Sequence, residues 1–481
     1  MFRSSRSARS SGNALAAGFL LFAVGCASAP PPVTPPQLTV PDTFSVDLSP
    51  AELPVEWWQE FDDPDLMSLV RRALAHNRTL DQARANVTAA EALLRRARLA
   101  GSYSTSTTAG ANLGRSVGND PDVSLSANGN LGADWEFDAF DRIAAQIRSA
   151  EFSLEAARQA RRDVAVIIAA QTADAYTDLR GGQIRLDVAQ RNAQLQKQSL
   201  DLLSQLFQNG RATQLDVDRA NSQYQTTLAS LPTFIGTVEI AVARLGALLG
   251  VTNPMTDPEL SAILNEQGDI PELRGPILTA TPDQMIRRRP DIRQAEALLG
   301  QRLALSQVAR ARLFPTLTMS VDLFSGFVED RDLSDSFGFG IGPTLVWEGP
   351  DLRGVKADID VADADARGAI ALYEQTVFDA LSEVETALSQ YQQERRRRGN
   401  LVEAEASASR ASELALVRFE EGLDSFLDVI DAQRTLLDAQ DRLESSRLQT
   451  AKSAIQAYRA LGGMLEDSQL ETVRTEREGI L

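Results

Sequence analysis

Two stretches set 212 residues apart constrain this chain more than any other feature: Phe207-Gln-Asn-Gly-Arg-Ala-Thr-Gln-Leu-Asp-Val217 and Phe419-Glu-Glu-Gly-Leu-Asp-Ser-Phe-Leu-Asp-Val429. In each, a Gly able to end one helix is followed three residues later by a hydroxyl, Thr213 or Ser425, able to cap the next. Asp216 or Asp428 stands three positions beyond that cap, close to a capping box. Each stretch therefore predicts the tip of a helical hairpin, with Asn209, Gly210, Gly422 and Leu423 at the exposed turn. The same offset of 212 joins Gln82/Gln294, Ala83/Ala295, Ala97/Ala309, Trp135/Trp347, Glu136/Glu348, Leu249/Leu461 and Gly250/Gly462. A gap-free offset over roughly 180 residues does not arise from composition and predicts a tandem duplication.

Each copy repeats one order of elements. In the first, Asp62-Asp-Pro-Asp65 offers capping before a helix with Leu66, Leu69, Val70, Ala73 and Leu74 at helical spacing, continuing to about Ala100. Two segments of period two follow, then helical pattern from Asp138 to Phe207, about 100 Å at 1.5 Å per residue, and a return to Gly250. The second copy reads as helix from about Pro282 to Leu313, strands Pro315–Gly326 and Phe337–Trp347, and helices to Phe419 and Leu461. Residues 57–250 and 281–462 form the two copies, 251–280 an irregular connection and 463–481 a tail.

The strands carry the membrane signal. Leu317, Met319, Val321 and Leu323 alternate with Thr316, Thr318, Ser320 and Asp322, and Phe337, Phe339, Ile341, Leu345 and Trp347 alternate with Gly338, Gly340, Gly342 and Thr344. A soluble half-buried sheet gives the same alternation. A tilted membrane-spanning strand has this length of about ten residues. The N-terminus favours the second reading. Arg3, Arg6 and Arg9, an apolar run from Ala14 to Val24, and Ala23-Val24-Gly25-Cys26 make residues 1–26 a secretory leader resembling a lipobox, with Cys26 as the lipidated residue. An ordinary signal peptide with an incidental Cys is the alternative. Residues 27–56, with Pro30-Pro-Pro32 and Pro35-Pro36, read as a Pro-rich tether. Four strands cannot close a barrel, and an open edge in lipid leaves backbone groups unsatisfied, so several chains must complete it. The stripe Phe426, Val429, Ile430, Gln433, Leu436, Leu437, Gln440 and Leu443 likewise predicts side-by-side helix packing.

Composition removes the other classes. A formal charge of −18 argues against nucleic acid as a partner. One His, His76, and one Cys leave no His/Cys metal site, and no catalytic constellation or phosphate loop is present, so neither an enzyme nor a cofactor is expected.

Trp57-Trp58-Gln-Glu-Phe61 with Asp63-Pro64, Arg289-Pro290-Asp291-Ile292 leading into Ala295-Glu296, Leu313-Phe314-Pro315 and the two Phe-x-x-Gly tips resemble the TolC/OprM outer membrane factors. The likeness is greatest to the lipoprotein branch that serves tripartite drug efflux. It implies an α+β membrane protein: a homotrimer whose chains each give four strands to a 12-stranded outer-membrane barrel, continued by a long periplasmic α-helical barrel. It also implies a periplasmic adaptor and an inner-membrane pump, of resistance-nodulation-division type, as partners beside outer-membrane lipid. Leu99-Ala-Gly-Ser-Tyr103 departs from the Phe-Pro that opens the strand in that family. By resemblance, Leu427, Asp431 and Arg434 match an apolar-and-charged aperture ring, and Asp428 with Asp431 its paired acids.

The copies diverge at this place, Asp431 answering Arg219 and Arg434 answering Ser222. A gate at the periplasmic end is one reading of that mismatch, and a solvated helix face is the other. Asp216 and Asp428 have a capping reading as well. The exposed tips are candidate adaptor contacts. Arg395 to Arg398 reads as a solvated face, and Glu329 to Asp335 as an acidic extracellular loop. The function expected is a passive exit duct of an efflux pump. The exit of a type I protein or peptide secretion system and a lipid-anchored periplasmic scaffold or adhesin are its rivals.

Overall fold

Caps and breakers set the helix limits in the computed structural model, which describes residues 40–45, 54–115, 123–266, 268–277, 281–328 and 337–463. A 3-10 turn, Trp57–Phe61, precedes α1 (Pro64–His76) and α2 (Arg78–Leu99). Strands β1 (Ser104–Arg115) and β2 (Val123–Phe137) lead into α3 (Arg142–Gln208) and α4 (Gln214–Leu249). After α5 (Pro258–Asn265) come α6 (Pro282–Arg288), α7 (Pro290–Ala311), β3 (Thr316–Val328), β4 (Phe337–Val346), α8 (Arg353–Glu420) and α9 (Phe426–Ala460). Both limits of α2 recur at α7 with an offset of 212, and the ends of α3 and starts of α4 recur likewise at α8 and α9. Cys26, most of the tether, the loop after Arg115, Glu329 to Asp335 and the tail from 464 lie outside the described residues.

Three expectations need correction. The first helix does not run unbroken to Ala100, because Asn77 leaves the helical region at ψ 128 and its Oδ1 accepts from the Thr79 and Leu80 N–H groups, starting α2 anew. The equivalent helix of the second copy breaks at Arg289, where ψ 123 suits the residue before Pro290. Residues 251–280 are not wholly irregular, since Asp257 caps α5 through the Leu260 N–H and Pro258 opens it.

Two compact units arise. The first, Thr88–Ala156 with Ala295–Tyr373, holds one antiparallel sheet in the order β1-β2-β3-β4, with β1 and β4 as open edges. Register pairs Leu131 with Leu323, Ala133 with Val321 and Val321 with Ile341, which puts the apolar residues on one face. The other face carries Asn130, Asp134, Ser320 and Asp322, with Ser320 Oγ donating to Asp134 at 2.7 Å. Phe140 stacks on Phe314 at 4.5 Å, and buried Arg310 reaches both oxygens of Asp363 at 2.8 and 2.6 Å. Removing one partner of such a pair destabilises by about 3–5 kcal/mol.

The second unit comprises Leu38–Val87, Ala157–Gln294 and Glu374–Leu481. Trp57 and Trp58 are each 1% exposed, and Trp57 stacks on Tyr458 at 5.8 Å. Burying aromatics of this size contributes about 2–3 kcal/mol each. The tether touches this unit too, where Ser45 donates through N and Oγ to Glu385. Buried Arg180 ties the start of the chain to the connection, donating to Asp65 at 2.7 Å, the Tyr176 hydroxyl at 3.0 Å and the carbonyls of Ile263 and Glu266.

Candidate functional site

The two hairpin tips share one backbone. Gly210 has φ +69, its N–H donates to Phe207 O at 2.9 Å, and the Arg211 N–H donates to Leu206 O at 2.8 Å. Gly422 has φ +75, with the Gly422 and Leu423 N–H groups donating to Phe419 O and Arg418 O, each at 2.9 Å. Both are Schellman turns, and the left-handed φ is why Gly stands at each. Thr213 then caps α4: its Oγ1 accepts from the Asp216 N–H at 3.3 Å, while Asp216 Oδ2 accepts from the Thr213 N–H at 3.1 Å. Asp428 Oδ2 accepts from Ser425 N–H and Oγ at 3.2 and 2.7 Å.

Behind the turns, Leu203, Ala220, Phe426 and Val429 are buried together, with Leu200, Val217, Leu416, Phe419 and Ile430 packed against them. Phe419 meets Phe426 edge-on at 5.1 Å. The tips are therefore held as one apolar cluster, with the stripe on α9 buried at Phe426, Val429, Gln433 and Leu436. Leu427, Asp428, Asp431 and Arg434 lie outside that stripe and are exposed. Asp431 and Arg434 pair with each other along the helix at 2.7 Å, each more than 60% exposed. An exposed pair of this kind is worth about 0.3–0.5 kcal/mol. Arg219 is exposed and makes no ion pair among the described residues. Among the described residues, then, Leu427, Asp428, Asp431 and Arg434 face solvent, with no ion pair from Asp431 or Arg434 to another helix.

Sequence reasoning missed a clamp over the second tip. Arg418 donates through Nε and Nη2 to the two oxygens of Asp424, at 2.5 and 2.9 Å. The guanidinium holds the Asp424 carboxyl below the usual carboxylate range. Leu206 and Ala212 stand at the matching places of the first tip, so the mismatch at 212 was the available signal. Arg395, Arg396 and Arg397 are exposed, as expected of a solvated face, and Arg398 is half-buried. Arg398 bonds Glu272 at 2.6 Å, and Arg395 lies over the Tyr391 ring at 5.7 Å. His76 is exposed, with Nδ1 at 3.1 Å from Arg72 O. No group of three metal-ligating side chains is present among the described residues.

Known proteins resemble this chain over most of its length. The profile of the family described as Outer membrane efflux protein matches residues 69–251 and again 281–463. Nodulation protein T of Rhizobium leguminosarum bv. trifolii is 30% identical over 447 residues, covering 90% of this chain and 93% of that one. Pyoverdine export outer membrane protein OpmQ of Pseudomonas putida is 30% identical over 422 residues, covering 85% and 87%. The solved outer-membrane channel OprN superposes with a TM-score of 0.80 at 32% identity, covering 89% of this chain and 99% of its own. The chain belongs to the outer membrane efflux protein family and is the outer-membrane channel component of a tripartite efflux pump.

Proposed function

We propose that three copies of this chain, descended from a tandem duplication, form a passive exit duct anchored by lipid at Cys26 and gated at the hairpin tips. Four strands from each chain close a 12-stranded barrel, and the long helices line a periplasmic α-helical barrel. The observation that carries this reading is the sheet. Phe337, Phe339, Ile341 and Leu345 are 69%, 74%, 70% and 64% exposed on its apolar face, and among the described residues neither edge strand is paired on its outer side. An aqueous sheet would bury that face. A lipid-facing sheet needs it exposed, and needs its edges paired by further chains. Ile235 and Ile240 on α4, 44% and 62% exposed, call for the same remedy among the helices.

Leu427, Asp428, Asp431, Arg434 and Arg219 form the gate, and Asn209, Gly210, Gly422 and Leu423 meet a periplasmic adaptor that links the duct to an inner-membrane pump of resistance-nodulation-division type. Energy comes from that pump, and the duct performs no covalent chemistry. The purified full-length protein should run as a heat-resistant trimer and give stepwise conductance in planar bilayers. A monomer without steps would leave the lipid-anchored scaffold instead.

A further inference from the structure

One cavity of the second unit gathers cations in an otherwise acidic chain. It encloses about 300 Å3 between α8, α9 and the connection, and Arg274, Arg395, Arg398 and Arg447 line it with a single carboxylate, Glu272. Four guanidiniums to one acid make a concentrated positive site in a protein of net charge −18. The duplication does not account for it. The first half carries Leu179, Gln183, Leu186 and Ile235 where the second carries Tyr391, Arg395, Arg398 and Arg447. The shared fold therefore does not require these side chains.

Their bonds are unequally used. Glu272 Oε2 accepts from Arg398 Nη2 at 2.6 Å, and its Oε1 accepts from Arg447 Nε at 3.0 Å. Arg447 also pairs with Glu444 at 3.1 Å, and Arg274 pairs with Asp62. Arg395 is exposed over the Tyr391 ring and makes no ion pair among the described residues. Tyr391 is 5% exposed, lines the same cavity, and its hydroxyl makes no hydrogen bond among the described residues. Burial pushes that hydroxyl up, and Arg395 and Arg398 oppose the shift, which places both cations close to its oxygen. A guanidinium resting on an aromatic face keeps its N–H groups available, and a buried hydroxyl is costly without an acceptor. Leu273, Pro276, Ala451 and Ala454 give the cavity an apolar wall.

We propose that this cavity binds a small organic carboxylate. Arg395 and the N–H groups of Arg398 that Glu272 leaves over take the acid group, the Tyr391 hydroxyl donates to it, and the apolar wall covers the body of the ligand. Glu272, seated between Arg398 and Arg447, displays the charge-assisted geometry that a ligand carboxylate would repeat. An inorganic anion would satisfy the guanidiniums and leave the apolar wall wet, so a carboxylate with an apolar body fits better.

Isothermal titration of the purified full-length protein with benzoate, its neutral match benzamide and inorganic phosphate tests this. Benzoate should bind saturably, and benzamide and phosphate about tenfold more weakly. Arg395→Gln, which installs the residue found at the matching position of the first half, should weaken benzoate about tenfold, and Tyr391→Phe about fivefold. The thermal midpoint of Arg395→Gln without ligand should stay unchanged, so that lost binding is not misfolding. No saturable benzoate binding, benzamide or phosphate binding as tightly as benzoate, or benzoate binding that Arg395→Gln leaves unchanged would overturn the proposal.

Discussion

The two halves of the chain meet the same structural demand at the roots of their hairpins and at the tips, and they diverge differently in the two places. At the roots, Asn77 and Arg289 occupy matching breaks between helices. Asn77 donates to Leu248 O at 3.0 Å, and Arg289 donates to Ala460 O at 2.6 Å, a carbonyl also displaced by 212. A neutral amide and a guanidinium thus tie the same joint to the last turn of the same returning helix. At the tips the backbone bonds agree within 0.1 Å, yet the charges reverse. The root tolerates a change of chemistry only where the joint is kept, whereas the exposed tip keeps its turn and is free to change charge.

Deleting the two root residues should give the largest losses. Arg289→Ala strips Asp291, at 3.0 and 2.7 Å, of its cation and leaves Glu383, at 2.8 Å, with Arg459 alone at 3.1 Å, for about 2–3 kcal/mol. Asn77→Ala loses one cap and one neutral hydrogen bond, for about 1–2 kcal/mol. Denaturant midpoints of the two variants check this, and equal losses would break the contrast between charged and neutral joints.

Two glycines sharpen the same point at smaller size. Gly462 has φ +84, and a methyl there would sit 2.7 Å from Arg289 Cγ and 3.2 Å from its Cα. Gly422 has φ +75 with open space around it. Gly462→Ala should therefore destabilise by about 2–3 kcal/mol and Gly422→Ala by about 1 kcal/mol, strain alone being present at the tip. Thermal melts of both variants read the difference directly.

The smallest effect concerns pH. Burial pushes Asp163 up to about 6, with Asp291 adding to it and Arg289 and Arg459 opposing. Burial pushes Asp174 up to about 6 as well, against Lys452, and Asp174 Oδ1 is buried without a hydrogen bond. The second half carries neutral Gln375 and Thr386 at the matching positions. A carboxyl whose folded pKa is raised stabilises while protonated, so this contribution is full below the unfolded value of about 4 and is lost as pH rises through about 6. Asp163→Asn with Asp174→Asn should flatten the melting midpoint between these pH values. At pH 7.5 or so it should raise that midpoint by about 2–4 °C. An unchanged pH profile would show that these acids do not distinguish the halves.

Much of this was legible in the sequence because the repeat fixed it twice. Gly210 and Gly422 announced their turns, and Thr213, Asp216 and Ser425 announced the caps, since such local geometry is encoded within a few residues. The breaks at Asn77 and Arg289 were not read, because Asn and Arg both occur inside helices and only the long-range bonds to Leu248 and Ala460 reveal the joint. Asp431 with Arg434 was read as charged aperture residues, but spacing alone could not show that they pair along one helix. The raised carboxyls and the Arg180 node depend on burial among distant segments, which periodicity does not report.

The halves share their fold, and the gate we propose lies where they differ, at Asp431 and Arg434 against Arg219 and Ser222. Planar-bilayer recordings of Asp431→Ala and Arg434→Ser, made singly, test it most directly. Each should open the resting channel and raise its conductance, while Ser222→Ala, at the position matching Arg434 in the first half, should not. Unchanged closure in both α9 variants would contradict the account.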